Sequence, residues 1–198
     1  MKLGFDIDGV VADLDVVFLD FINETYGLGW TINNLTTYEI SEMKFVEDKE
    51  ENNEIRENCI NLINSGKIQL EAEPFPEAVE AIKKLRKAGH SIHFITGRPK
   101  TNESHTVSWI RKHKIQFDTI DHVGYEGKKG MLGRSLNLDF YIDDEDRHLK
   151  SMLAFKKRWR KGLGLLDKPW NRAYICDRQI IRFKTWKDVL RHLGVQNR

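Results

Sequence analysis

Five short apolar runs, at residues 3–7, 91–95, 119–123, 138–142 and 162–166, alternate with amphipathic stretches along this chain and restrict what it can fold into. Runs of this length bounded by polar segments read as strands, and the stretches between them carry apolar residues at helical spacing. Strands joined through helices pair in parallel, and a parallel sheet needs apolar cover on both faces. The expected fold class is therefore α/β, a parallel sheet between layers of helix.

Helices are expected from Leu14 to a stop at Gly27, over about 45–65 with Gly66 behind it, and from Pro76 to Gly89. Further helical stretches lie near 103–114, 131–136, 145–158 and 185–193. Proline at a first helical position and glycine just past the end are the usual punctuation. Residues 28–41, rich in Thr and Asn, read as loop. The segment 14–75 breaks the strand–helix rhythm and reads as a helical cap inserted after the first strand. The expected division is a core of residues 1–13 and 76–198 with a cap of 14–75; a length of 198 residues suits one domain with an insertion.

Composition removes several classes of function. Lys+Arg 32 against Asp+Glu 30 leaves a net charge of +2, without the excess that marks a general nucleic-acid coat. The two cysteines, Cys59 and Cys176, sit in no CxxC or Cys/His cluster, so a disulfide scaffold and a structural zinc site are not expected. No apolar run approaches the length of a membrane span, and the N-terminus meets charge at once. A cytoplasmic protein that binds neither membrane nor nucleic acid is the expectation, with its oligomeric state left open.

Chemistry concentrates where the runs end, which is where open parallel sheets bind ligands. The first run ends in Asp6-Ile7-Asp8-Gly9, the second in Thr96-Gly97-Arg98, and the fourth in Asp143-Asp144. Carboxylates two residues apart on a strand point to the same side and repel unless a cation separates them or one holds a proton. Four carboxylates, Asp6, Asp8, Asp143 and Asp144, brought together without Cys or His would suit a hard cation such as Mg²⁺. Acids at strand ends also serve as helix caps, but Asp6 and Asp8 precede a helix that begins only near Asp13.

This ordered set resembles the haloacid dehalogenase (HAD) superfamily of phosphohydrolases, whose fold is a Rossmann-like core with a cap. More narrowly, Phe5-Asp6-Ile7-Asp8-Gly9-Val10-Val11-Ala12-Asp13 is similar to the opening of the 5'(3')-deoxyribonucleotidases and their bacterial nucleotidase relatives. The segments Gly66–Pro76, Ile95–Pro99 with Thr106 and Trp109, and Leu166–Arg172 with Trp186 also fit that family. The resemblance implies that Asp6 attacks phosphorus to form an aspartyl phosphate and that Asp8 acts as general acid and base. It implies Mg²⁺ as cofactor, held by Asp6, the Asp8 backbone carbonyl, Asp143 and Asp144. Thr96 and the Gly97 amide would bind phosphoryl oxygens, with a lysine beside them. Lys128 and Lys129 are both candidates; spacing to the acidic pair in the bacterial relatives favours Lys129. Arg98 could contact the phosphate bidentately or pair with an acid.

The implied partner is a small phosphate substrate, a nucleotide foremost. Another small phosphate or a polynucleotide 3'-phosphate stands as an alternative within enzymology, and a non-catalytic nucleotide-binding protein as one outside it. Cap aromatics Trp30, Tyr38 and Phe45 could stack on a base or simply pack. The basic run Lys156–Lys161 with Trp159 reads as a solvated helix end before it reads as a nucleic-acid grip. None of the histidines shows metal-ligand spacing.

Overall fold

A computed structural model describes residues 1–124, 129–155 and 158–195 of the chain. Its strands are β1 (Lys2–Phe5), β2 (Ser91–Thr96), β3 (Thr119–His122), β4 (Phe140–Asp143), β5 (Leu163–Leu166) and β6 (Ile180–Phe183). Among the described residues they form one parallel sheet of order β3-β2-β1-β4-β5-β6. The chain builds outward from β1 through β2 to β3, then returns to the other side of β1 for β4. Loops leaving neighbouring strands β1 and β4 therefore diverge, and the crevice beyond their carboxyl ends is the expected ligand site of such a sheet.

Alternation along the strands divides the core between the two faces. On one face Leu3, Phe5, Phe94 and Phe140 share a cluster with residues of α4 (Pro76–Lys87), α5 (Glu103–Lys112) and α8 (Trp186–His192). On the other, Ile95, Tyr141, Leu163 and Leu165 pack with Leu149 and Met152 of α7 (Asp146–Phe155). The neighbouring helix α6 (Lys129–Ser135) lies so close to α7 that a Cβ on Gly130 would run into the Ser151 backbone. That approach carries Lys129, at the start of α6, into the interior.

Three helices precede α4 in the first crossover: α1 (Leu14–Tyr26), α2 (Lys49–Ser65) and α3 (Lys67–Glu71). They surround their own apolar cluster, which includes Phe18, Ile22, Leu35, Met43, Phe45, Ile55, Cys59 and Ile68. Asp48 opens α2 by accepting from the Glu51 N–H at 2.9 Å, and Gly27 and Gly66 close α1 and α2 in the left-handed conformation. The chain leaves the sheet and returns to it at one place. Asp13 donates its N–H to the Glu73 carbonyl at 2.8 Å, and Phe75 donates to that of Val11 at 2.9 Å.

The expected parallel α/β sheet is present, with differences at its margins. Strand β6 and helix α3 were not anticipated, and the loop 28–41 holds two single 3-10 turns, at Ile32–Asn34 and Ile40–Glu42. The helix expected over 145–158 is described over Asp146–Phe155. Lys156 and Lys157 lie outside the described residues. Trp159 is buried in the second cluster while Arg158 and Arg160 are exposed, so the ring is not presented as a stacking platform. Among the described residues no helix is long and apolar enough to cross a membrane.

Candidate active site

A tight turn after β1 places the first pair of acids. The Ile7 carbonyl accepts from the N–H groups of Val11 and Ala12, both at 2.8 Å, and the Trp186 indole donates to the Val10 carbonyl at 3.2 Å. Gly9 turns the chain at φ +71°, and a Cβ there would collide with the Asp144 carboxylate. Gly9→Ala therefore adds left-handed strain to a clash with a buried acid. We expect it to lower stability by about 1–3 kcal/mol, read by denaturant unfolding. A variant with native stability would show that the turn is not constrained.

The predicted acids converge, and Asp6 and Asp143 share one lysine. Lys129 Nζ lies 3.0 Å from Asp6 Oδ1 and 2.9 Å from Asp143 Oδ2. Asp143 also accepts from the Tyr141 hydroxyl at 2.8 Å and the Glu145 N–H at 3.0 Å, and its Oδ1 sits 3.0 Å from His148 Nδ1. Burial pushes the Asp6 carboxyl up to about 7 against the pull of Lys129, with Asp143 and Asp8 adding to the rise. Burial also raises Asp144 well above the usual carboxylate range, reinforced by Asp143 and Asp6. Asp143 is buried too, but Lys129 and His148 outweigh that and hold it low. Lys129 is itself held above its ordinary value, because Asp143 and Asp6 overcome the cost of its burial.

Arg98 reaches the first pair of acids. Its Nε and Nη2 donate to the two oxygens of Asp8 at 2.9 and 2.6 Å, so it pairs with an acid, and that acid is the second one of the first motif. The guanidinium is 1 % exposed, lies 5.7 Å from the Trp109 ring centre and donates to Thr106 at 3.3 Å. Thr96 is fully buried and accepts from the Arg98 N–H at 3.2 Å. The position beside Gly97 is open.

These groups border a cavity of about 370 Å³. Asp6, Asp8, Gly97, Arg98 and Asp144 line it, whereas Thr96, Lys129 and Asp143 do not. Lys128 lies outside the described residues, while Lys129 makes the acid contacts. The apolar walls include Phe18, Leu35, Met43, Ile60 and Ile63 from the first crossover. Of the three cap aromatics, Trp30 and Phe45 stack on one another at 4.8 Å. Tyr38 alone of the three lines the cavity, its ring edge-on to His148 and Trp170.

One support escaped the sequence reading, and a second stood there only as a family motif. His148 stands five residues past Asp143, in the first turns of α7, and the helix brings it back onto that acid. The segment after β5 holds the Asp144 backbone: Asn171 Nδ2 and Trp170 Nε1 donate to its carbonyl at 2.8 and 3.1 Å. Lys168 ties the same segment to α1 through Asp15 at 2.6 Å.

The residues present fit a hard cation. Asp6 Oδ1, apart from its ion contact with Lys129, and Asp144 Oδ1 are buried without a hydrogen-bond partner. Among the described residues, atoms of Asp6, Asp143 and His148 lie within 4.8 Å of one another. A buried carboxylate oxygen without a partner, as at Asp144, is costly, and a hard divalent cation would be held by such oxygens.

The family described as 5' nucleotidase, deoxy (pyrimidine), cytosolic type C protein matches residues 1–198. The chain is similar to a nucleotidase of Clostridium acetobutylicum, 29% identical over 189 residues, covering 96% of this chain and 91% of the relative. In structure it resembles a haloacid dehalogenase-like family hydrolase of Streptococcus pneumoniae, with a TM-score of 0.65 at 14% identity, covering 97% of each chain. A HAD-superfamily hydrolase of Geobacter sulfurreducens aligns with a TM-score of 0.57 at 13% identity, over 98% of this chain and 96% of the other.

Proposed function

This chain belongs to the deoxy (pyrimidine), cytosolic type C 5' nucleotidase family and is a phosphoric monoester hydrolase; from that premise we propose that it removes phosphate from nucleoside monophosphates through an aspartyl phosphate on Asp6. The observation that carries the reading is the pairing of two acids with different surroundings at one cavity. Asp6 is buried against Lys129, while Asp8 is held through both oxygens by Arg98.

In the first step an Asp6 oxygen bonds to phosphorus as the ester P–O bond breaks, and the departing alkoxide takes a proton from Asp8. In the second, Asp8 accepts a proton from water as the water oxygen bonds to phosphorus. The P–O bond to Asp6 then breaks, releasing phosphate and restoring the carboxylate. Arg98 donates one hydrogen bond to each Asp8 oxygen, which leaves a lone pair on each for proton transfer. Lys129 offsets charge at Asp6, and Thr96 with the Gly97 amide is assigned to the phosphoryl oxygens. Asp6, the Asp8 backbone carbonyl, Asp143 and Asp144 would hold Mg²⁺, which when bound screens the nucleophile from the phosphate and stabilises the transferring group.

Residues 14–75 are read as the cap, resting on their separate apolar cluster and on the adjoining exit and return at Asp13 and Glu73–Phe75. Such a cap favours small phosphates, and the burial of Trp159 takes away the ring that would have stacked on a polynucleotide base. Both cysteines are free, which suits a reducing compartment, and the cytosol is the proposed location.

A panel of ribo- and deoxynucleoside monophosphates, sugar phosphates and a 3'-phosphorylated oligonucleotide tests the reading, each with Mg²⁺ and with EDTA. We expect selective release from one group of nucleotides, lost with the chelator and restored by Mg²⁺. Equal release from generic phosphates would remove the nucleotide assignment, and full activity in EDTA would remove the metal.

A further inference from the structure

The edge strand β6 reaches the crevice through one buried amide. Asn171 is 1 % exposed and stands just past β5. Its Nδ2 carries two hydrogens and has two acceptors, the Leu166 carbonyl at 2.7 Å and the Asp144 carbonyl at 2.8 Å. The last pair between β4 and β5 is Asp143 with Leu165, so the amide joins the two chains one residue beyond the end of their own pairing. Its oxygen accepts from Arg182 Nη1 at 2.5 Å and from the Lys168 N–H at 3.3 Å. These partners fix which end is which, because turning the amide over would set oxygen against two carbonyls and nitrogen against two donors.

Arg182, in β6, directs both of its terminal nitrogens to this segment. Nη1 also donates to Asp167 Oδ1 at 2.9 Å, and Nη2 donates to the carbonyls of Asn171 and Tyr174, each at 2.9 Å. Asn171 is thereby held by side chain and backbone at once. What it holds in turn is Asp144, whose carboxylate sits so close to the turn after β1 that a Cβ on Gly9 would lie 2.2 Å from its Oδ2. Among the described residues the other oxygen, Oδ1, is buried without a hydrogen-bond partner. We propose that Asn171 and Arg182 are positioning residues for the cation site, Arg182 fixing the amide and the amide fixing the backbone that carries the Asp144 carboxylate. This rests on the reading of Asp144 as a ligand to Mg²⁺. It makes metal affinity depend on two residues that do not line the cavity, as residues behind a ligand do elsewhere.

The test is Mn²⁺ binding to the substrate-free protein, followed through the electron paramagnetic resonance signal of the free ion, so that affinity is read apart from turnover. Mn²⁺ takes the same oxygen ligands as Mg²⁺. Asn171→Ala is expected to raise the dissociation constant by about 10–100-fold, the scale of losing a residue that orients a ligand. Arg182→Lys, which keeps the charge and loses the fork, is expected to raise it by less, in the same direction. Asp144→Asn marks the ligand itself and should weaken binding at least as much as Asn171→Ala. Leu85→Ala shows what lost stability does by itself. Leu85 lies in the core near the end of α4, where the chain enters β2 at the opposite end of the sheet, and its removal should leave the affinity unchanged. If Asn171→Ala does not fold, Arg182→Lys decides by the same criterion.

Wild-type affinity in the deciding variant, with binding weakened in Asp144→Asn, overturns the inference and leaves the metal reading intact. The same holds if Leu85→Ala weakens binding as much as that variant does. A protein whose affinity for Mn²⁺ is the same with and without Asp144→Asn overturns the reading of Asp144 as a ligand, and the inference with it.

Discussion

Asp6→Asn is expected to reduce phosphate release by at least about 10⁴-fold while leaving the fold standing, since removing a nucleophile abolishes the covalent route and not only part of its efficiency. The substitution keeps size and shape and removes one charge from a buried set. Burial already drives the Asp6 carboxyl up to about 7, so the folded chain tolerates a neutral group there better than a carboxylate. Lys129 keeps Asp143 as a partner at 2.9 Å. The thermal midpoint of the metal-free variant should therefore match or exceed that of the wild type. Loss of activity together with a collapsed fold would give Asp6 a structural role; retained activity would end its assignment as nucleophile.

Lys129→Met is expected to be damaging in both respects. The ammonium is 1 % exposed and bridges Asp6 to Asp143. Its removal leaves two buried acids facing one another with His148 as the remaining nearby cation source for Asp143. Breaking a buried ion pair from one side costs about 3–5 kcal/mol, chiefly because the surviving charge stays buried. Denaturant unfolding in EDTA should show a loss of that order. Turnover at saturating Mg²⁺ should fall by about 10²–10³-fold, the scale of removing one electrostatic contact to a transition state. A variant within about 0.5 kcal/mol of the wild type would mean that the three groups are not coupled as their spacing implies.

The alternation of strand and helix was legible because each central strand is a continuous apolar run, as two-sided burial demands. β6 was not, since Ile180–Phe183 is a short edge strand with Arg182 in its middle and only one neighbour in the sheet. α3 hid behind Gly66, its five residues too few to show a helical period. The acids of the site stood out because they close strands, and the topology gathers strand ends. Asp8 and Arg98 are 90 residues apart, so their pairing followed from no local pattern. His148 was passed over for a related reason: spacing among histidines was the wrong thing to look for when a single imidazole meets Asp143 one turn into a helix. In the basic run, charge in the sequence hid the burial of Trp159.

The covalent intermediate is the centre of the account, and rapid acid quenching measures it most directly. With ³²P-labelled p-nitrophenyl phosphate the leaving group needs no proton, so Asp8→Asn should form the phosphoenzyme and fail to hydrolyse it. The predicted result is near-stoichiometric label on Asp8→Asn, removed by hydroxylamine as an acyl phosphate must be, and none on the Asp6→Asn, Asp8→Asn double variant. Label that survives the loss of Asp6, or release of p-nitrophenol by Asp8→Asn without any label on the protein, would contradict it.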